Sequence, residues 1–244
     1  MSTKVIAPTL AEFELAHENV LQVAIETPIL KSNFLSKLTG QEVFLKCENL
    51  QRTGSYKLRG AYNLIAQLTA AERKKGVVAA SAGNHAQGVA LAAHELGIKA
   101  TIYMPVGVAL PKLEATRGYG ADVVLEGNIF NESLTAAKAF AAKTGAVFIP
   151  PFDDPRVIAG QGTLGLEILE DVPDVDTIIV PIGGGGLISG VAAAVKLRAA
   201  ELGRKVRIIG VQAENAAAYP PSLKAGKPVK VEVRPTISDG IANG

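Results

Sequence analysis

The chain has 244 residues, 48% hydrophobic and 20% charged, with a net charge of +2 and a mean hydropathy of +0.24. These values exclude a disordered or fibrous polypeptide and leave room for one large α/β domain or two small ones. The pI is near 8.6, yet there is no Lys/Arg-rich run or interleaving of basic with aromatic residues, so nucleic acid is not expected as a partner.

Met1-Ser2-Thr3-Lys4-Val5 lacks a hydrophobic signal core, and no secretory leader is expected. Thr9 with Glu12 reads as a capping box ahead of Leu10, Phe13, Leu15 and Val20, which predicts an N-terminal helix. Glu42-Val43-Phe44-Leu45-Lys46-Cys47-Glu48 predicts a strand, with Cys47 as a buried small hydrophobe. A single cysteine makes no internal disulfide, which suits a reducing cytoplasm.

Next comes Thr53-Gly54-Ser55-Tyr56-Lys57-Leu58-Arg59-Gly60, a glycine-bracketed turn running into the apolar-periodic Leu58, Ala61, Tyr62, Leu64, Ile65 and Leu68. Lys57 therefore opens a helix. The helix dipole and the neighbouring Arg59 both disfavour its charge, and neutral lysines form Schiff bases with carbonyl compounds. A solvated helix-start lysine is the alternative. Glu72-Arg73-Lys74-Lys75 reads as the solvated end of a helix.

From there short β-branched runs alternate with amphipathic stretches. Strands are predicted at 77–80, 100–104, 122–125, 147–149, 177–182 and 206–211, with helices at 86–96, 110–119, 131–143, 155–169 and 187–202. This alternation means parallel sheet covered by helices, with ligands bound beyond the carboxyl ends of the strands. Two loops fall there: Ser81-Ala82-Gly83-Asn84-His85, and Gly183-Gly184-Gly185-Gly186 ahead of Leu187. Pro150-Pro151 marks a boundary between lobes. The uncharged run 177–195 is broken by Pro181 and the four glycines, which excludes a transmembrane helix there.

Four glycines between a strand and a helix let the backbone approach a ligand, and amides converging at a helix start suit phosphate. The Gly-Lys-Ser/Thr ending of a P-loop is missing, and Ile188 stands where a dinucleotide fingerprint needs glycine. A tight turn is the alternative. Asn84 suits an N-cap or a ligand hydrogen bond. His85, His17 and His94 receive no catalytic role. Asp153-Asp154 reads as a turn with Asp154 capping the Pro155 helix, and no metal is assigned.

Taken together, Ser55-Tyr56-Lys57-Leu58-Arg59-Gly60-Ala61, Ser81-Ala82-Gly83-Asn84-His85-Ala86-Gln87-Gly88, Ala159-Gly160-Gln161-Gly162-Thr163 and Gly183-Gly184-Gly185-Gly186-Leu187 resemble the threonine ammonia-lyase (threonine dehydratase) family of fold-type-II pyridoxal-phosphate enzymes. The resemblance runs from about Leu10 to the last residue. It implies a tryptophan-synthase-β-like α/β fold of two three-layer parallel-sheet lobes. The larger would be built from 1–75 and 151–244 and the smaller from 76–150.

By that resemblance Lys57 carries pyridoxal 5'-phosphate and acts as catalytic base, Asn84 meets the ring hydroxyl, and Gly183, Gly184, Gly185, Gly186 and Leu187 hold the phosphate. Ser81, Ala82, Gly83 and His85 would receive the substrate. The implied reaction is L-threonine to 2-oxobutanoate and ammonia, and L-serine to pyruvate, in cytoplasmic amino-acid metabolism leading to isoleucine, by a homodimer or tetramer without membrane or nucleic acid. Serine racemases have a serine where this chain has Ala82, which disfavours two-base racemisation. Their divalent-cation site is matched at Glu214 but meets Pro220 in place of a carboxylate. The family continues past Gly244 to a serine at the cofactor's ring nitrogen, so a fragment, with an active site open on one side, is expected. A non-catalytic cofactor-binding fragment and a nucleotide-binding module are the competing readings.

Overall fold

A computed structural model describes residues 7–243. Helix α1 (Leu10–Val20) starts at Thr9, whose hydroxyl accepts from the Glu12 amide at 3.3 Å while Glu12 accepts the Thr9 amide at 2.7 Å. Strands β1 (Ile29–Lys31) and β2 (Phe44–Lys46) flank α2 (Asn33–Thr39) and pair antiparallel. This pair was not expected, and the strand predicted over 42–48 is shorter than its apolar run. Glu48–Leu50 turns into a 3-10 helix straight after β2, so Cys47 sits at the turn, partly exposed rather than buried.

Helices α3 (Lys57–Ala66) and α4 (Ala70–Lys75) lead into β3 (Val77–Ala80), α5 (Asn84–Glu95), β4 (Ala100–Met104), α6 (Leu110–Gly118), β5 (Asp122–Leu125), α7 (Phe130–Thr144) and β6 (Val147–Phe148). All four strands run parallel in the order β5-β4-β3-β6. Successive side chains of a strand point to opposite faces, and β3 shows it. Val77 and Ala79 join the core formed with α3 and α5, whereas Val78 and Ala80 join Tyr103 and Ala137 of α7. The result is three layers.

The chain continues through α8 (Pro155–Asp171), β7 (Thr177–Pro181), α9 (Gly186–Glu201), β8 (Arg207–Val211) and α10 (Tyr219–Ala225). Strands β7 and β8 form a separate parallel pair, with Ile178 and Val180 packed on Leu187, Val191 and Val195 of α9. Asp154 caps α8 by accepting from the Arg156 amide, with Pro155 as the first helical residue. No helix among the described residues is long and apolar enough to cross a membrane.

Glycines let three of these helices touch backbone to backbone. A Cβ at Gly160 would lie 2.6 Å from the Arg59 carbonyl and 2.7 Å from Gly60 Cα, and one at Gly190 would lie 2.6 Å from the Gly162 amide. The Ala159-Gly160-Gln161-Gly162-Thr163 motif is therefore the seam joining α8 to α3 and α9. Within it Arg59 is fully buried. Its guanidinium meets Glu167 at 2.5 and 3.0 Å, Glu48 at 2.8 and 2.9 Å, and the Thr163 hydroxyl at 3.1 Å. Lys46 adds a contact to Glu167 at 2.8 Å. Burial alone would raise the Glu167 carboxyl, but Arg59 and Lys46 outweigh it and hold it below the usual carboxylate range.

Two outcomes follow for chemical denaturation. Gly190→Ala forces a side chain into immovable backbone and costs about 1–3 kcal/mol, whereas Gly118→Ala, with open space around it, gains a few tenths to about 1 kcal/mol. Glu167→Gln costs roughly 3 kcal/mol at pH 7 by leaving half of a buried pair. Since Glu167 titrates lower when folded, its stabilisation is complete above the unfolded carboxylate range and is lost as pH falls through the folded value. The variant therefore shows a flatter decline in acid.

Candidate active site

Strand order makes the site. Strand β3 is followed by α5 and a step to β4 on one side, while β6 arrives on its other side after α7. The connections leaving β3 and β6 diverge, and such switch points open a crevice beyond the strand ends. Residues 81–83 leave β3 there and residues 149–154 leave β6.

Lys57 occupies the first position of α3, as its sequence context predicts. Helix α5 is pressed against that helix start, since a Cβ at Gly88 would lie 3.0 Å from both the Lys57 carbonyl carbon and the Leu58 amide. This brings the asparagine motif to the lysine. Lys57 Nζ donates to the Pro151 carbonyl at 2.7 Å and lies 5.4 Å from the centre of the Tyr56 ring. Its pKa is pushed down to about 8 by loss of hydration. The like charge expected from Arg59 is not the cause, because that guanidinium is spent on Glu48 and Glu167.

The glycine loop lies beside the same connection. A Cβ at Gly186 would lie 2.8 Å from Phe152 Cβ and 3.0 Å from its carbonyl, and one at Gly184 would overlap the Phe152 ring. Gly185, at φ +94°, caps the 16-residue helix α9 and lies under the Tyr219 hydroxyl, which donates to the Gly184 carbonyl at 3.4 Å. None of the amides of residues 183–188 donates to a described residue. A run of free amides at the positive end of a long helix suits an anion.

The asparagine loop differs in detail from its sequence reading. Gly83, not Asn84, is the N-cap of α5, and no side chain caps it. Asn84 is exposed as the first helical residue, and its amide has no hydrogen-bond partner among the described residues. Ser81 accepts from the Gly83 amide at 3.2 Å, and Ser81 and Ala82 are half-buried. His85 is buried and its ring Nε2 is spent on the Ile149 carbonyl.

Residues 20–244 match the family described as pyridoxal-phosphate dependent enzyme. The chain belongs to that family. It is 56% identical over 234 residues to an L-threonine ammonia-lyase of Thermotoga maritima, covering 96% of this chain and 57% of that protein. It is 49% identical to the catabolic L-threonine dehydratase of Escherichia coli, covering 88% of this chain and 64% of the relative. Among solved structures it superposes on threonine deaminase isoform 2 of Solanum lycopersicum with TM-score 0.90 and 44% identity, over 96% of this chain and 68% of the other. It superposes on maize serine racemase with TM-score 0.92 and 37% identity, over 98% and 71%. The chain thus spans about three-fifths of the length of these curated relatives, and its fold is that of fold-type-II pyridoxal-phosphate enzymes.

Residues of this structure fit the cofactor. Lys57 offers an amine near neutrality, residues 183–188 offer unpaired amides, and Ser55, two positions ahead of Lys57, has a buried hydroxyl without a partner. The sequence reading missed Pro151 as the acceptor for Lys57 and Phe152 and Tyr219 as the walls of the glycine loop. No local pattern marks them, because each acts through a contact distant in sequence. Glu167 had a signal, an acid on an otherwise apolar and small-residue helix face.

With the unfolded value of lysine near 10.5 and the folded value about 8, the Lys57 amine is half deprotonated near pH 8. Pulse labelling of the chain with an amine-reactive probe, read by peptide mass, should show Lys57 reactivity rising to half its maximum near pH 8, well below an ordinary lysine. The same shift adds stability as pH rises from about 8 toward 10.5.

Proposed function

We propose that this chain carries the active-site lysine and phosphate loop of a threonine ammonia-lyase, converting L-threonine to 2-oxobutanoate and ammonia and L-serine to pyruvate. The observation that carries the reading is a near-neutral Lys57 amine at the switch point of a parallel sheet, on the connection that also supports the glycine loop. Lys57 would hold the cofactor aldehyde and, once the substrate's amine had displaced it, would serve as the base at the substrate's α-carbon. Asn84 meets the ring hydroxyl, Gly183, Gly184, Gly185, Gly186 and Leu187 receive the phosphate, and Ser81, Ala82 and Gly83 with the His85 amide receive the carboxylate. Bound pyridoxal phosphate supplies the electron sink for the pair left when the α-proton departs.

The balance of the reaction is simple. Lys57 Nζ would take the α-proton, one proton would pass in return to the β-hydroxyl as it leaves as water, and the released enamine would tautomerise and take up water to give the oxo acid and ammonia. Phe152 and Tyr219, both half-buried, wall the glycine loop beside the connection that holds the base. Ala82 has no proton to exchange, which favours elimination over racemisation.

A two-lobe division, 76–150 against 1–75 and 151–244, belongs to this reading. The four-stranded sheet, Val77 to Phe148, lies wholly inside the smaller lobe, although α3 and α5 share a core across the boundary. A homo-oligomer in the cytoplasm completes it, and the exposed Phe34 and Leu38 on α2 suit a covered surface.

Mixing the chain with pyridoxal phosphate should produce a yellow absorbance band that is absent in Lys57→Ala and weakened at least tenfold in Gly186→Val. Threonine should then yield 2-oxobutanoate. A colourless mixture refutes the reading, and colour without product leaves only a cofactor-binding chain.

A further inference from the structure

Two side chains from different motifs grip one connection. Residues 149–154 join β6 to α8. His85 of α5 donates from Nε2 to the Ile149 carbonyl at 2.9 Å, and Lys57 of α3 donates to the Pro151 carbonyl at 2.7 Å. Phe152, the next residue, lies beneath Gly184 and Gly186, and Asp154 caps α8. One stretch of backbone thus sets the lysine, the glycine loop and the seam helix against each other.

A carbonyl can only accept, so the proton of the neutral imidazole is on Nε2. The residue is 4% exposed, and the pKa of its ring is pushed down to about 3, chiefly by loss of hydration and further by the Lys57 charge. It is a neutral donor throughout the range in which enzymes work, unsuited to proton transfer and suited to holding a carbonyl. Between the two gripped carbonyls lie Pro150 and Pro151, whose rings lock φ near −65°. Such a segment transmits a displacement at Ile149 instead of absorbing it.

We propose that His85 is a positioning residue for Lys57: by holding the Ile149 carbonyl it fixes residues 149–154, and through the Pro151 carbonyl it aims the lysine amine toward the glycine loop. This rests on the reading of Lys57 as the cofactor lysine. An amine that donates one N–H to Pro151 keeps its lone pair clear for an aldehyde. Released from that carbonyl, the flexible lysine stem spreads over many rotamers. The loss falls on bond formation at Nζ and spares recognition of the phosphate, which the backbone amides make.

The test separates those two events with two ligands. Pyridoxal phosphate condenses with the lysine, nitrogen adding to the aldehyde carbon and water leaving. Borohydride hydride then reduces the carbon–nitrogen double bond to a stable secondary amine, located by peptide mass. 4'-Deoxypyridoxine 5'-phosphate has no aldehyde and reports binding alone, by calorimetry. His85→Leu should lower the apparent affinity for adduct formation at Lys57 at least tenfold while changing affinity for the aldehyde-free analogue less than twofold. His85→Gln, whose terminal amide reaches about where Nε2 stands, should restore adduct formation to within threefold.

Equal loss of both ligands, or an unchanged His85→Leu, overturns the proposal. If His85→Leu does not fold, His85→Asn decides against His85→Gln. Asparagine is too short to reach Ile149 and must lose the adduct that glutamine keeps, and equal behaviour of the two overturns the proposal. Absence of any Lys57 adduct in the unaltered chain overturns the cofactor reading itself, and this proposal with it.

Discussion

The buried Arg59 guanidinium is the constraint on which the rest of the structure turns. An unpaired cation with no access to water is too costly to persist, so α3 must present Arg59 to Glu48 and Glu167 together. Glu48 comes from the turn after β2 and Glu167 from the middle of α8, and one side chain thereby ties two distant segments to a single position of α3. Lys57 stands two residues earlier on the same helix, so the place of its backbone is set by that tie. The two cations show opposite solutions to burial. Arg59 stays charged because carboxylates surround it, and Lys57 moves toward neutrality because lost water is not replaced by an acid.

Close backbone approach is the second condition, and it brings the pieces of the site together. Gly88 lets α5 rest on the first turn of α3, Gly160 and Gly190 let α8 lie between α3 and α9, and Gly186 lets the glycine loop rest on Phe152. Side chains at these positions would hold the lysine, asparagine and glycine motifs apart. The proposed chemistry depends on that packing as much as on the groups assigned to it, because an amine and an anion site act on one ligand only at a set separation.

Much of the fold was legible because periodicity and turn chemistry are local. The helices after β3 and the parallel strands fall within a few residues of their predicted positions, and the capping box at Thr9 is formed as read. The antiparallel β1–β2 pair escaped because Ile29–Lys31 has only three residues and no alternation to read. Asn84 was read as a cap or a ligand contact, and the cap lies one residue earlier, at Gly83, which fills that position with its backbone alone. The Lys57 shift was expected from the helix dipole and Arg59, but ion pairing and burial are tertiary facts, and desolvation proved to be the cause.

The sequence by itself determined the family, the elements and the identities of the candidate groups, because glycine runs, caps and motif spacing are properties of neighbouring residues. Only the tertiary structure decided which of those groups meet. The crevice exists because β3 lies between β4 and β6, Lys57 faces Pro151 because two prolines fix the chain after β6, and His85 serves a carbonyl because its ring is out of water. Each of those outcomes depends on which distant surface displaces solvent from a residue, and no local pattern carries that information.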